Sequence, residues 1–245
     1  VKLDMPIYGC DPDLYEMGNK SNSRKIFKQC GLHVPPGFED LRNEEDIINA
    51  LTELKLSDPS LKRAVVKMND GFSGEGNAVF SFSEMGESEE LKRWVTDHLQ
   101  QQLKIVAGDL DYKDFMFKFQ HMGGIVEAFV EGENKTSPSV QCRINPLGDC
   151  KVISTHDQLV GGESGQVFLG ANFPAKEEYA IEIGEYGLKV AEALSKNGVM
   201  GRFAVDFISV KEGKDWKHYA IEINLKKEGT THPYILLQFL TDGDY

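Results

Sequence analysis

Several features that would assign a role at a glance are missing from these 245 residues. No apolar run approaches the roughly 18 residues that a helical bilayer span needs, and no charged-then-apolar segment at the start reads as a signal peptide. A cytoplasmic setting is the default expectation. Positive charge is in short supply: 27 Lys and Arg stand against 39 Asp and Glu, for a net charge of -12. That balance argues against a broad nucleic-acid or anionic-membrane surface, so cations that meet phosphate must be local. Cysteine is scarce as well. Cys10, Cys30, Cys142 and Cys150 show no CxxC spacing and are too few for a disulfide framework. Cys142 and Cys150 flank the turn Asn145-Pro146-Leu147-Gly148-Asp149 and could face each other across a hairpin, but reduced packing residues are the expectation for both. There is no internal repeat and no low-complexity segment. The chain opens on Val1 and stops at Tyr245 just after the apolar stretch Tyr234 to Leu240, and is expected to be a piece of a longer protein.

What is present reads as alternating helices and hairpins. Residues 1 to 16 are irregular; SNSRKIFKQCG then forms a helix candidate with a Ser or Asn cap, a stripe of Ile26, Phe27 and Cys30, and Gly31 as its stop. After an extended Leu32 to Phe38, residues 43 to 56 form a second helix, with acids in its first turn and Ile47, Ile48, Leu51 and Leu54 inward. Strands at 64 to 69 and 78 to 82 flank a glycine-rich turn, and 87 to 103 is an amphipathic helix on Leu91, Trp94, Val95 and Leu99. Two short strands are expected within 115 to 130, separated by Gly123-Gly124, and a longer antiparallel run over 138 to 170, broken at 146 to 148 and 161 to 165. The helix at 177 to 196 is expected to bury Ile181, Leu188, Val190, Ala191 and Leu194. Without the regular beat of βαβ units, this is an α+β chain with antiparallel sheets.

Three stretches carry chemistry. In GRFAVDFISVKEGKDWKHYAIEIN, residues 201 to 224, strand alternation groups Ala204, Asp206 and Ile208 on one face and Ala220, Glu222 and Asn224 on one face of the next strand. Paired through the turn at 212 to 215, Asp206, Glu222 and Asn224 would make a hard oxygen site suited to Mg2+ against phosphate. The plain alternative is the solvent side of an amphipathic hairpin. In AVVKMNDGFSGEGNAVF, residues 64 to 80, Lys67 lies inside an apolar strand and so needs a partner, for which a nucleotide phosphate is the candidate. Gly71, Gly74 and Gly76 follow in a loop whose amides can approach an anion. This is not a P-loop, since the lysine precedes the glycines and GK[ST] is absent; the alternative is a loose hairpin with a lysine reaching solvent. In GGIVEAFVEGE, residues 123 to 133, a backbone edge beside apolar side chains suits adenine, and the acid after Gly132, Glu133, suits ribose hydroxyls.

Lys67 before a glycine loop, VEAFVEGE, and Asp206 with Glu222-Ile223-Asn224 occur in the order found in the ATP-grasp superfamily, which the chain resembles from about residue 16 to its end. Three segments, YGCDPDLYEMGNKSNSR, STHDQLVGGESGQVFLGANFPA and INLKKEGTTHP, are similar to the branch of carboxylate-amine ligases that includes the pheganomycin peptide ligase. The resemblance implies an ATP-grasp fold, two α+β subdomains with antiparallel sheets sandwiching the nucleotide. It implies an entry segment with helices over 1-62, a small subdomain with the glycine loop over 63-130, and a subdomain with the metal site over 131-245; a preceding N-terminal domain is expected to lie outside this chain. It further implies ATP and Mg2+ as cofactors, and a small-molecule or peptide carboxylate and an amine as substrates, joined through an acyl phosphate with release of ADP and phosphate. Lys20 and Lys67 would contact ATP phosphates, Glu127 with the Phe129-Val130 backbone adenine, Glu133 ribose, and Asp206, Glu222 and Asn224 Mg2+. Arg143, His156, Gln158 and Lys226 are candidates for contacting the carboxylate or the charge that develops in transfer, and the glycine loop at 70 to 77 and the loop at 161 to 165 are expected to act as lids that keep water out. Where the family carries Arg followed by glycines after the Asn, this chain has Lys226-Lys227-Glu228, which keeps charge but loses the bidentate fork. A nucleotide-binding scaffold or regulatory module with little turnover, or an ATP-grasp kinase, is the alternative.

Overall fold

A computed structural model describes residues 8–71, 76–82, 90–161 and 167–243. A 3-10 turn (Pro12–Gly18) leads into α1 (Lys20–Gln29), followed by β1 (Gly37–Leu41), α2 (Glu44–Ser57), β2 (Arg63–Met68), β3 (Asn77–Ser81), α3 (Leu91–Gln102), β4 (Leu103–Ile105), α4 (Tyr112–Met122) and β5 (Gly124–Ala128). Then come β6 (Lys135–Ile144), β7 (Cys150–Gly161), β8 (Val167–Asn172), α5 (Glu177–Lys196), β9 (Gly201–Glu212), β10 (Asp215–Asn224) and α6 (Thr231–Leu240). The chain divides into two compact units. A central unit is built on Val34–Glu131, and a terminal unit joins the residues up to His33 to Gly132–Val160 and the chain from Leu169 onward.

The central unit holds a five-stranded sheet in the order β1-β5-β2-β3-β4, with each recorded strand pair antiparallel. Asn43 and Asp46 cap α2 reciprocally, satisfying amides the helix cannot. Ile47, Leu51, Trp94, Val95, Phe115 and Phe119 then pack with Ala64, Val66, Phe80 and Val126 in one core, so the helices cover one face of the sheet. Val65, Lys67, Ile125 and Glu127 alternate to the other face.

Residues 112–122 form a helix where strands were expected. Asp111 accepts a hydrogen bond from the Asp114 amide at the start, and Gly123, at φ +70°, ends it. The aromatic spacing decides the matter: Phe115 and Phe119 are fully buried while Phe117 is 64% exposed, a helical and not an alternating pattern. The next strand starts at a glycine because a Cβ on Gly124 would lie 2.2 Å from the Lys67 carbonyl and 2.3 Å from the Phe119 ring.

In the terminal unit the sheet runs β10-β9-β6-β7-β8. Helix α5 lies on the face carrying Val140, Cys142, Phe203 and Val205; a Cβ on Gly187 would reach Val140 at 2.6 Å, so the missing side chain lets helix and sheet approach. Ile181, expected inside, is 79% exposed, and Tyr179 and Ile183 are buried instead, with Val190, Ala191 and Leu194 as expected. The edge strand β10 is covered: the Ile223 amide donates to Ser23 Oγ on α1 at 3.2 Å and the Ala220 amide to the His33 carbonyl at 2.8 Å. The four cysteines are free. Among the described residues no helix is long and apolar enough to cross a membrane.

The α4 assignment is open to direct test. Phe119→Ala should cost about 3–5 kcal/mol in urea unfolding, and Phe117→Ala less than about 0.5 kcal/mol; comparable losses at both would restore the strand reading.

Candidate functional site

The terminal unit gathers polar side chains on the sheet face turned away from α5. Ser139 on β6 is the register partner of both Asp206 on β9 and His156 on β7, so the three form a row across adjacent strands. On β10 a bulge at Ile221 puts Glu222 opposite Asp206 and Asn224 opposite Ala204, while Ala220 falls opposite Phe207 on the α5 side. The expected grouping of Ala220 with Glu222 and Asn224 is therefore corrected: the extra residue inverts alternation before Glu222. Tyr219, opposite Ile208, and Ile223, opposite Val205, likewise lie on different faces.

Asp206 accepts from Gln158 Nε2 at 2.9 Å and from Asn224 Nδ2 at 3.0 Å. Lys20, in the first turn of α1, reaches Glu222 Oε1 at 3.2 Å with its side chain 7% exposed. A third acid closes the group. Glu228 Oε1 accepts the Thr230 hydroxyl at 2.6 Å, and Thr230 in turn accepts from Gln141 Nε2 at 3.3 Å. Burial, with Glu228 and Glu222 nearby, pushes the Asp206 carboxyl well above the usual carboxylate range, while Ser139 and Gln158 oppose the rise. Burial also raises Glu228, with Glu222 adding to it and Thr230 and Lys226 opposing.

His156 is fully buried, its ring against Phe173 at 5.0 Å, and neither ring nitrogen has a hydrogen-bond partner among the described residues. Its Nε2 stands 4.0 Å from Glu228 Oε1, too far for a hydrogen bond. Burial pushes the imidazole down to about 4, so at neutral pH the ring is uncharged and this contact is not an ion pair. Arg143 sits opposite Arg202 and Lys151, four residues along β6 from Ser139, or roughly 13 Å at the rise of an extended chain. Lys226 and Glu133 are exposed.

In the central unit Lys67 Nζ and Glu127 Oε1 are 2.6 Å apart, with side chains 8% and 3% exposed. The phosphate expected as partner of Lys67 is thus preceded by a carboxylate from the neighbouring strand. Gly71 and Gly76 close on one another at the base of the loop, where the Met68 amide donates to the Gly76 carbonyl; Gly74 lies outside the described residues, as does most of the 161 to 165 loop. The Phe129 amide donates to the Arg63 carbonyl at 3.0 Å. Over the Phe129 ring lies the Arg63 guanidinium, 3.8 Å from its centroid and held bidentate by Glu131 at 2.9 and 2.7 Å. Val130, the next residue, is half-buried.

A family model described as IQCH-like, ATP-grasp matches residues 13–107 and 85–245. The chain belongs to this ATP-grasp family. A ligase of Streptantibioticus cattleyicolor, L-propargylglycine--L-glutamate ligase, is 31% identical over 218 residues, covering 88% of this chain and 42% of the relative. IQ motif-containing protein H of Danio rerio is 23% identical over 272 residues, 99% of this chain and 26% of the relative. Among solved structures, the biotin carboxylase-beta-gamma-ATP complex from Campylobacter jejuni superposes with a TM-score of 0.66 at 17% identity, over 99% of this chain and 47% of that one, a likeness of fold alone. The chain spans less than half the length of each.

Within this ATP-grasp chain, Ser139, Gln141 and Thr230 were not singled out by sequence reasoning. A usable signal existed for two of them: Ser139 and Gln141 alternate with Val140 and Cys142 inside a buried strand, and polar residues at period two in such a strand mark a polar face. For Thr230 there was none.

Burial of His156 sets a pH window. An unfolded histidine gains its proton near pH 6.5, whereas the folded one stays neutral until about 4, so stability is complete above 6.5 and falls as pH drops toward 4. The loss amounts to about 3 kcal/mol. Urea unfolding of wild type and His156→Asn between pH 7 and 4 checks this; the decline should be shallower in the variant.

Proposed function

We propose that this chain is the nucleotide-binding core of an ATP-dependent carboxylate-amine ligase that works through an acyl phosphate and releases ADP and phosphate. The observation that carries the reading is the meeting of Asp206, Glu222, Asn224 and Gln158 with the buried ammonium of Lys20 on one sheet face. The 31% identity to a peptide-type ligase supports it.

The donor set fits Mg2+. Among the described residues no three or more His, Cys, Asp or Glu side chains are grouped to hold a metal, and the set is instead two carboxylates and an amide, hard oxygens of the kind Mg2+ takes alongside phosphate oxygens. Asn224 turns its amide nitrogen to Asp206, leaving its carbonyl oxygen for a cation. The Asp206 carboxyl, held above its usual range by burial and by Glu228 and Glu222, is stabilised in its ionised form by a cation. When bound, Mg2+ would offset the repulsion between the carboxylate and the γ-phosphate. Asp206, Glu222 and Asn224 would hold it, Gln158 would orient Asp206, and Lys20 would meet phosphate while balancing Glu222. Lys67 would meet phosphate in the central unit, Glu127 and the Phe129-Val130 backbone adenine, and Glu133 ribose; Gly71, Gly74 and Gly76 would present loop amides. Arg143 and Lys226 remain assigned to the substrate carboxylate or developing charge.

A second reading, a nucleotide-binding module with little turnover, draws on the Lys67–Glu127 pair, which already neutralises the phosphate lysine, and on Lys226-Lys227-Glu228 in place of arginine and glycines.

The two readings separate by products. The ligase predicts Mg2+-dependent ADP and phosphate only when a carboxylate and an amine are both supplied; AMP and pyrophosphate, or a stable phosphorylated product without amine, would overturn it. Glu222→Gln, which keeps an acceptor for the buried Lys20 ammonium, should lower that turnover about 100-fold or more with the fold intact. Because Lys67→Ala alone would strand a buried carboxylate, the nucleotide role is better read from Lys67→Met with Glu127→Gln, expected to fold and to weaken ATP binding roughly 10-fold or more.

A further inference from the structure

Glu228 and His156 leave an interaction unmade. The Glu228 carboxylate is positioned by Thr230, itself fixed by Gln141, and its side chain is 14% exposed, so it is reached by solvent. Facing it, 4.0 Å away, is the Nε2 of a fully buried imidazole with neither nitrogen hydrogen-bonded among the described residues. A buried polar atom without a partner costs about 1–3 kcal/mol, and a direct bond between this pair would need the gap closed by roughly 1 Å. A single nitrogen bearing N–H donors, seated to one side of the line joining them at about 2.9 Å from each, would satisfy both acceptors at once. Charge points the same way. Three acids, Asp206, Glu222 and Glu228, crowd this face, and among the described residues Lys20 is the cation in hydrogen-bond contact with them. Lys20 serves Glu222, and the exposed Lys226 acts on Glu228 without pairing with it among the described residues, leaving Glu228 the acid best placed for a small cation with N–H groups.

We propose that Glu228 and His156 form the subsite for the ammonium or amine nitrogen of the second substrate, Glu228 as counter-ion and His156 Nε2 as a neutral acceptor. Naming that cation a substrate rests on the ligase reading; the binding itself does not. Selectivity follows from the pair: the site requires N–H donors, so it takes primary amines and rejects quaternary ammonium of equal charge.

Methylammonium is the probe, titrated against tetramethylammonium at constant ionic strength into 15N-histidine-labelled protein with and without Mg2+ and ATP. The chain has six histidines, and the His156→Gln spectrum assigns the ring of interest. Methylammonium should shift the His156 ring nitrogens and tetramethylammonium should not; Glu228→Gln should weaken methylammonium roughly 10-fold while ATP affinity holds and the melting temperature does not fall. Equal responses to the two cations, an unchanged methylammonium affinity in Glu228→Gln, or loss of ATP binding in that variant would overturn the subsite. Glu228-dependent methylammonium binding in a protein that binds no ATP would uphold the subsite and sink the nucleotide reading, so the two fail separately.

Discussion

Like charge held together on a half-buried sheet face is the constraint on which the terminal unit turns. Asp206 and Glu222 are directly opposite across two antiparallel strands, a position where equal charges destabilise the pairing, and Glu228 adds a third acid nearby. The sheet tolerates this because amides from Gln158 and Asn224 hold Asp206 and the Lys20 ammonium holds Glu222. The remainder appears as raised carboxyls. For an acid whose folded pKa lies above its unfolded one, the unfolded chain ionises first, so stability declines as pH rises through that interval. The cluster therefore costs the fold more as pH rises through that interval, and a bound cation would offset that cost.

How much of this was legible beforehand depended on whether the signal was local. Alternation in β9 and β10 exposed Asp206, Glu222 and Asn224 as a set, and the capped α2 and the regularly spaced α5 declared themselves. The bulge at Ile221 did not, since one extra residue leaves no mark in an alternating string, yet it is what brings Glu222 to the face of Asp206. Helix α4 was hidden by its composition: Phe115, Phe117 and Phe119 at every second position imitate a strand, and only packing separates the buried pair from the exposed ring. Ile181 erred in the opposite sense, an apolar residue on the polar side of a correctly placed helix.

Lys67 shows where a sound physical demand admitted two answers. A lysine inside an apolar strand must find an anion, and Glu127 supplies one from within the same sheet at 2.6 Å. A buried pair of this kind does little for net stability, because desolvating both ions consumes most of their attraction, while removing one partner is costly. Its geometry is better suited to holding a lysine charged and oriented than to strengthening the fold. The same residue thus serves as a poised cation in the ligase reading and as a neutralised one in the scaffold reading; what divides them is whether a polyphosphate can compete with Glu127.

Lys20 and Glu222 are 202 residues apart in sequence, and no local pattern links them. What does is the edge of β10: its outward amides at Ile223 and Ala220 are taken up by Ser23 and His33, and a helix docked that way, begun at the Asn19 cap, carries Lys20 in its first turn to Glu222. The cost of so long a closure is modest, because loop entropy grows with the logarithm of length, about 0.6 kcal/mol for each doubling. Edge protection, needed by any sheet that ends in an exposed strand, therefore also delivers a cation to the acidic hairpin. An early lysine and late acids can then form one site through a requirement of the backbone, with motif order along the chain as its visible trace.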